Sequence, residues 1–549
     1  MRYSHLTCSL LLGLFVQGTA WAAAPSTRPN ILLILADDLG YSDLGSFGGE
    51  INTPTLDQLA TEGLQMTGMY ASPTCSPSRS MMISGTDNHL AGLGTMAEAL
   101  QPFQKGMPGY EGYLNQNSYS IAELLKAGGY HTSMVGKWHL GLEPDQAPPQ
   151  RGFENSFALL EGGATHFKPA SQNPSRIEDV HYRENGQIVQ VPDDFYSTDF
   201  YTDKLISYLK NTRQDGKPFF AYAAFTAPHW PLQAPDAYLD KYRGRYDQGH
   251  DSVRVARIER MKKLGLLPEG FNPAQPLPAT AQTPNWDQLS PEQKLIEARK
   301  MEIYAAMVDN LDHNVGRLID YLRESGQYDN TLIVFMSDNG AAGENHALFY
   351  PAGEHTDNSY GNLGRRGSQI DYGMRWAEVS AAPFHLFKGN TAEGGISVPA
   401  IMHLPKGLVR QGIERGIARI DDLAPTFLEL AGIPMPNEQG KNSITGQSLL
   451  PMLSGKASPH ADTALAGELF GNAYYREGSL KLLGLRPQEG FNAPPQPLKW
   501  QLFDIASDRG ETRDIASEQP ETVQRLKDAW QNYSKRVGVV FPPTSQGSK

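Results

Sequence analysis

Residues 31–38 read ILLILADD, and the way this run is built and ends decides the fold. Six apolar residues stand in succession with no polar alternation. That pattern marks a strand buried on both faces, as in a parallel sheet, and two aspartates follow it at once. The arrangement recurs. Pro218–Thr226 (PFFAYAAFT) runs into Ala227-Pro228-His229, Thr331–Met336 (TLIVFM) into Ser337-Asp338-Asn339-Gly340, and the shorter Thr132–Val135 into Gly136-Lys137-Trp138-His139.

Helices are predicted between these runs. Asn52-Thr53-Pro54 opens one that Gly63 stops, Ser120–Ala127 forms another before Gly128-Gly129, and Met301–Glu324 places Ile303, Met307, Leu311, Val315, Leu318 and Leu322 at helical spacing. Strands alternating with helices give an α/β fold, a large mostly parallel sheet sandwiched by helices. From Pro434 to Gly455 the chain turns rich in proline, glycine, serine and asparagine. Beyond it, 463–468, 473–476, 480–485 and 500–504 read as antiparallel strands and 520–537 as an amphipathic helix. A small C-terminal α+β domain is therefore expected over 436–549, after a main domain over 25–435.

Residues 1–24 read as a cleaved signal peptide: a cationic start at Arg2, an apolar run from Leu10 to Val16 too short to span a bilayer, and the small-residue pattern Ala22-Ala23-Ala24. Export, to a periplasm or the medium, follows from it. The formal net charge is −12 over 549 residues, which argues against nucleic acid or an anionic membrane as partner. Mean hydropathy is −0.44, and no other run is apolar enough to cross a membrane. Oligomeric state is not legible, and a monomer is the default.

In open α/β sheets, ligands bind beyond the carboxyl ends of the strands. The polar residues ending these runs are Asp37, Asp38, Lys137, His139, His229, Asp338 and Asn339. Singly, each has a structural reading as a helix cap or a satisfied histidine. Together they bring three carboxylates and an amide to one edge. These are hard oxygen donors suited to Ca²⁺ or Mg²⁺, without which the carboxylates would repel one another. Lys137 and His139, two apart, would share one side of a strand, and beside a divalent cation they make a pocket for a compact anion.

Two cysteines occur, Cys8 and Cys75. Loss of the signal peptide leaves Cys75 unpaired in an oxidising compartment. Its surroundings, SPTCSPSRSMMISG at 72–85, predict a helix from Cys75 through Ser84, closed by Gly85. A helix N-terminus favours anions and would lower a thiol's pKa, so a thiolate nucleophile is one chemical reading and a buried structural cysteine another.

The five residues Cys75-Ser76-Pro77-Ser78-Arg79 match the C-x-P-x-R signature of the type I sulfatases, in the alkaline-phosphatase-like superfamily. ADDLGYSDLG at 36–45, GKWHLG at 136–141, TAPHWPLQAP at 226–235, SDNG at 337–340, FKGNTAEGGISVP at 387–399 and WQLFDIASDRGETRDIA at 500–516 follow the family's order. The chain most resembles bacterial arylsulfatases. The resemblance implies that a separate maturation enzyme, the formylglycine-generating enzyme, oxidises Cys75 to Cα-formylglycine. The hydrated aldehyde would attack a sulfate monoester, and its second hydroxyl would then expel sulfate. Asp37, Asp38, Asp338, Asn339 and residue 75 would hold the metal, Ca²⁺ in preference to Mg²⁺. Arg79 would steady residue 75, Lys137 and Lys388 would bind sulfate oxygens, His139 would assist sulfate release, and His229 would stand beside the leaving oxygen.

The rival readings are a phosphate or phosphonate ester hydrolase using the same site, a thiolate-dependent hydrolase, and an anion-binding protein with an unmodified thiol. Asp309, Asp312 and His313 read as the solvated face of the 301–324 helix. His346, His355, Arg365, Arg366 and Trp376 read as a rim around the substrate pocket.

Overall fold

The computed structural model describes residues 28–169, 180–345, 353, 356–408, 410–486 and 497–541. The signal-peptide reading, Cys8, His346 and His355 lie outside them. Eleven strands of the described residues form one sheet: β1 (Asn30–Ala36), β2 (Leu64–Tyr70), β3 (His131–Lys137), β4 (Asn155–Leu159), β5 (Tyr182–Glu184), β6 (Gln187–Val189), β7 (Phe219–Ala224), β8 (Thr331–Ser337), β9 (Ser397–His403), β10 (Gly412–Glu414) and β11 (Ala418–Arg419). Their order is β10-β2-β9-β8-β1-β7-β3-β4-β5-β6, with β11 also on β2. The central run β8-β1-β7-β3-β4 is parallel throughout. β9 runs antiparallel between β8 and β2, and β5 and β6 are antiparallel at the other side.

The unbroken apolarity of 31–36 has its physical reason here. Leu32, Ile34 and Ala36 enter a core built against the helix Pro291–Glu324. Ile31, Leu33 and Leu35 enter a second core on the opposite face, closed by the helices Ile121–Ala127 and Leu423–Leu430. A strand with a core on each face has no place for a polar residue.

The helix expected over 301–324 begins ten residues earlier, at Pro291. Ser290 caps it, accepting from Gln293 N, with Gln293 completing the capping box. Its first turns are exposed, Leu295 and Ile296 included, so no apolar periodicity marked them. The solvated-face reading fails for two of its residues. Asp309 is buried and accepts from Lys241 Nζ and Tyr242 Oη at 2.8–2.9 Å. Asp312 is buried and accepts from the backbone N–H groups of Leu56 (2.8 Å) and Thr55 (3.1 Å), capping the helix Pro54–Glu62. Only His313 faces solvent. Helix 301–324 is sandwiched rather than laid on the surface, and the carboxylates are kept because each has donors to meet.

A separate four-stranded antiparallel sheet follows: β12 (Leu465–Leu469), β13 (Asn472–Glu477), β14 (Leu480–Leu485) and β15 (Lys499–Asp504). The helix Pro520–Val537 covers one face, with Leu526 on Leu482 and Leu502. The other face packs Leu465, Tyr474, Leu483 and Phe503 on Tyr70, Leu386, Ala392 and Ile396 of the main sheet's layer. Thus the small sheet sits on the segment that carries Lys388. Residues 449–453 belong to the main core, where Leu449, Met452 and Leu453 are buried. No helix of the described residues is long and apolar enough to cross a membrane.

Candidate active site

Four neighbouring parallel strands deliver the site. β8, β1, β7 and β3 end level with one another, since Ala36 pairs with Ser337, Leu35 with Ala224 and Gly136 with Ala224. Asp37 and Asp38 emerge from β1, Asp338 and Asn339 from β8, His229 from the turn after β7, and Lys137 closes β3. Asp38 is turned by a φ of +65°, a strained setting for a non-glycine residue that neighbours must enforce. Asn339 Nδ2 donates to its Oδ1 at 2.7 Å, while its N–H donates to Asp338 Oδ1 at 3.2 Å.

The helix predicted from Cys75 to Ser84 is present with those bounds and ends at Gly85, φ +68°. It points its first residue into the carboxylates: Cys75 Sγ lies 3.4 Å from Asp37 Oδ1 and 3.7 Å from Asp38 Oδ1. One turn on, Arg79 reaches back. Its Nε and Nη2 meet Asp338 Oδ2 at 3.0 and 2.8 Å, Nη2 stands 3.5 Å from Asp37, and Nη1 donates to the Lys137 carbonyl at 3.0 Å. Lys137 Nζ holds both oxygens of Asp37 at 2.7 and 3.0 Å. Lys388 Nζ holds Asp38 Oδ2 at 2.8 Å and Glu344 at 2.9 Å. His229 Nδ1 donates to the Trp230 carbonyl at 2.5 Å, which leaves Nε2 facing Asp38 Oδ2 at 3.6 Å.

His139 departs from the sequence expectation. β3 stops at Lys137, and His139 has a φ of +53°, so strand alternation does not bring the pair to one side. Lys137 turns to Asp37, whereas His139 Nε2 meets Glu98 Oε1 at 3.0 Å.

Burial and opposed charge set the titration of the group. Burial alone would push the Asp38 carboxyl up, but Lys388, His229 and Lys137 hold it well below the usual range. Burial and the Asp37 charge push Asp338 up to about 6 against the pull of Arg79. Burial lowers the lysines' preference for charge, yet Asp37 lifts Lys137 and Asp38 lifts Lys388 above the usual lysine value. His229 is pushed well below its usual value by burial, against the pull of Asp38. The Cys75 thiol is pushed well up, again by burial first. Burial outweighs the pull of Lys137 and Lys388, and the charges of Asp338 and Asp37 add to it.

Ligand atoms of Asp37, Asp38, Cys75 and His229 all lie within 4.8 Å of one another. Asn339 Oδ1, fully buried, has no hydrogen-bond partner among the described residues. An orphaned amide oxygen beside converging carboxylates fits a hard, oxygen-ligated cation.

Sequence reasoning missed three neighbours. Glu98 sits in the 3-10 turn Ala97–Ala99, and His166 donates from Nε2 to the His229 carbonyl at 2.9 Å while Ser197 Oγ meets its Nδ1. Both lie in loops with no periodic signal. Glu344 follows SDNG by four residues in a glycine-rich stretch, the one signal that pointed toward it. Of the expected rim, Trp376 is core, fully buried with its ring 4.6 Å from that of His250. Arg365 pairs with Asp236, and Arg366 donates to the Asp193 carbonyl, both at the surface. A small cavity beside Asp38, with room for about one water, is lined by Pro228, Trp230, Leu232, Tyr304, Ala342 and Tyr372, with Asp371.

The sequence model of the sulfatase family matches residues 29–433. An uncharacterized sulfatase of Schizosaccharomyces pombe is 44% identical over 539 residues, covering 95% of this chain and 96% of that protein. An arylsulfatase of Klebsiella aerogenes is 41% identical over 438 residues, covering 78% of this chain and 91% of that protein. The crystal structure of Ps i-CgsB superposes with a TM-score of 0.65 at 27% identity, covering 92% of this chain and 93% of that one.

Proposed function

The chain belongs to the sulfatase family, whose reaction is the hydrolysis of sulfate esters, and from that premise we propose that it is an exported arylsulfatase that uses Cys75 as formylglycine. The observation that carries the reading is the buried convergence of Cys75 Sγ on Asp37 and Asp38, flanked by the cations of Arg79, Lys137 and Lys388. Asp37, Asp38 and Asp338 balance Arg79, Lys137 and Lys388, and Glu344 on Lys388 adds one more acid. A divalent cation added to them leaves a positive pocket matched to a sulfate group.

Asp37, Asp38, Asp338, Asn339 and the oxygen of residue 75 would hold that cation, and the irregular all-oxygen set suits Ca²⁺ better than Mg²⁺. When bound, it would supply positive charge beside the sulfate and the residue-75 hydroxyls. The chain's own groups do the rest. Lys137 and Lys388 bind sulfate oxygens, and Arg79 keeps Asp338 and residue 75 in place. One hydroxyl of the hydrated aldehyde attacks sulfur and gives its proton to Asp338. The aryl oxygen departs with the electrons of the S–O bond and takes a proton from Lys388, or from His229 once that imidazole carries one on Nε2. The remaining hydroxyl of sulfated residue 75 then loses its proton to His139, the carbonyl forms, and sulfate leaves with the C–O bonding pair. Water adds to the aldehyde and restores the diol.

The aryl preference is supported by the motifs the chain shares with bacterial arylsulfatases. The Klebsiella relative's name agrees with it. The test is mass spectrometry of the peptide containing residue 75, with an aldehyde-reactive probe, followed by paired aryl sulfate and aryl phosphate substrates. An aldehyde and preferred turnover of the sulfate are expected. A free thiol in protein made alongside a maturation enzyme would overturn the mechanism. Preference for the phosphorus ester would move the reading to a phosphate or phosphonate hydrolase.

A further inference from the structure

The mechanism above gives His139 a task and leaves its nearest partner, Glu98, without one. Both Glu98 oxygens lie near His139 Nε2, at 3.0 and 3.3 Å. The Glu98 side chain is 45% exposed, and against a partial desolvation that would raise its carboxyl the imidazole beside it brings it down to about 2, so it is an acceptor at any working pH. Because a carboxylate only accepts, Nε2 carries the proton of this bond. In the neutral form of the ring the lone pair is then on Nδ1, which is buried and has no hydrogen-bond partner among the described residues.

The ring is also fixed from two other sides. The backbone holds His139 at φ +53°. Gly162 lies flat against the pair: a Cβ there would stand 2.7 Å from both Cε1 and Nε2 of His139 and 3.1 Å from Glu98 Oε1. The turn bearing Glu98 is tied to the nucleophile, since Thr74, the residue before Cys75, donates through Oγ1 to Sδ of Met96 at 3.2 Å.

We propose that Glu98 is a positioning residue that fixes the Nε2–H tautomer and the ring angle of His139, so that Nδ1 takes the proton when sulfated residue 75 releases sulfate. In that step the O–H bond breaks and its electrons form C=O. The C–O bond to sulfate breaks with its pair leaving on sulfate, and the proton ends on Nδ1. A carboxylate behind an imidazole sets tautomer and basicity in this way in other enzymes. The assignment of the step rests on the formylglycine reading; the assignment of the tautomer does not.

Two measurements on the full chain, matured with its aldehyde content counted, test it. The first compares Glu98→Gln and Glu98→Asp on an aryl sulfate with a good leaving group. Glu98→Gln is expected to lower kcat by about 10- to 100-fold and KM with it. It should release one burst of phenol per aldehyde and leave a sulfuryl group on the residue-75 peptide, while Glu98→Asp regains most of the rate. A kcat within about twofold of the parent, a raised KM at unchanged kcat, or a slow variant without a burst would overturn the proposal. Should Glu98→Gln fail to melt cooperatively, Gly162→Ala displaces the same ring from the opposite side and must show the same burst. The second is nitrogen-15 NMR of histidine-labelled protein. Nε2–H in the parent, redistributed in Glu98→Gln, is expected, and a parent Nδ1–H tautomer would overturn the proposal whether or not the protein turns over. A parent chain without aldehyde, by contrast, fails the sulfatase mechanism and leaves the tautomer result standing.

Discussion

Cys75 shows how far one residue's chemistry depends on its neighbours. Placed 3.4 Å from Asp37 and 3.7 Å from Asp38, its thiol is held protonated and is a poor nucleophile as it stands. The proposed oxidation to the aldehyde would replace sulfur with an oxygen that suits the same carboxylate and amide surroundings. Cys75→Ser should therefore lower aryl sulfate turnover by at least about 10³-fold. The peptide should retain sulfate as a stable ester after one turnover, which mass spectrometry reads directly. The orphaned Asn339 Oδ1 leads to a second outcome. A calcium chelator should abolish activity without lowering aldehyde content, and added Ca²⁺ should restore more of it than equal Mg²⁺.

At the scale of elements, the site is a consequence of strand ends in register. The end of β3 shows the tolerance. Gly136 pairs with Ala224 of β7 at φ +96°, and a Cβ there would fall 1.9 Å from the Ala224 carbonyl oxygen. Only glycine lets the two backbones approach so closely just before Lys137. Gly136→Ala should cost about 2 to 4 kcal/mol of stability, seen as a lowered Tm. Activity per folded molecule should also fall, because Lys137 moves off Asp37. The strands β1, β7 and β8 were legible because each carries an unbroken apolar run, and β3, with His131, Thr132 and Ser133 among its residues, was legible only over the shorter stretch 132–135. β2, with Gln65, Thr67 and Gly68 in its sequence, was not, nor was β9 behind its two glycines. They are strands by virtue of pairing with each other, and β9 also pairs with β8.

At the scale of the molecule, buried ion networks bind the small sheet to the large one. Glu393, five residues beyond Lys388, accepts from Lys481, Arg509 and Tyr70, and Lys481 also pairs with Glu511. On another side His89 is held between Asp87 and Glu468 of β12, each at 3.1 Å, with Tyr533 Oη donating to Asp87 at 2.7 Å. Burial alone would lower the imidazole's pKa, but the two carboxylates raise it to about 9. The folded value lies above the unfolded one near 6.5, so the folded state binds the extra proton between them. The pair's stabilisation, about 3 kcal/mol, is full below about pH 6.5 and is lost as pH rises through about 9. Melting at about pH 6 and about pH 10 should show that loss in the parent protein, and His89→Gln should be less stable at the lower pH and lack the His89-linked fall.

The sequence by itself determined the parallel core, the strand ends at which chemistry collects, the helix Cys75–Ser84, the helix Pro520–Val537 and the family. Each rests on local pattern: unbroken apolar runs, helical spacing, or a motif of adjacent residues. Tertiary structure alone decided that Asp309 and Asp312 are buried acceptors, that Trp376 is core rather than rim, and that Glu98 and His166 stand behind the two site histidines. Those outcomes depend on which polar group meets which across hundreds of residues. A buried charge is tolerated only where a distant partner arrives to satisfy it, and no local pattern records that arrival.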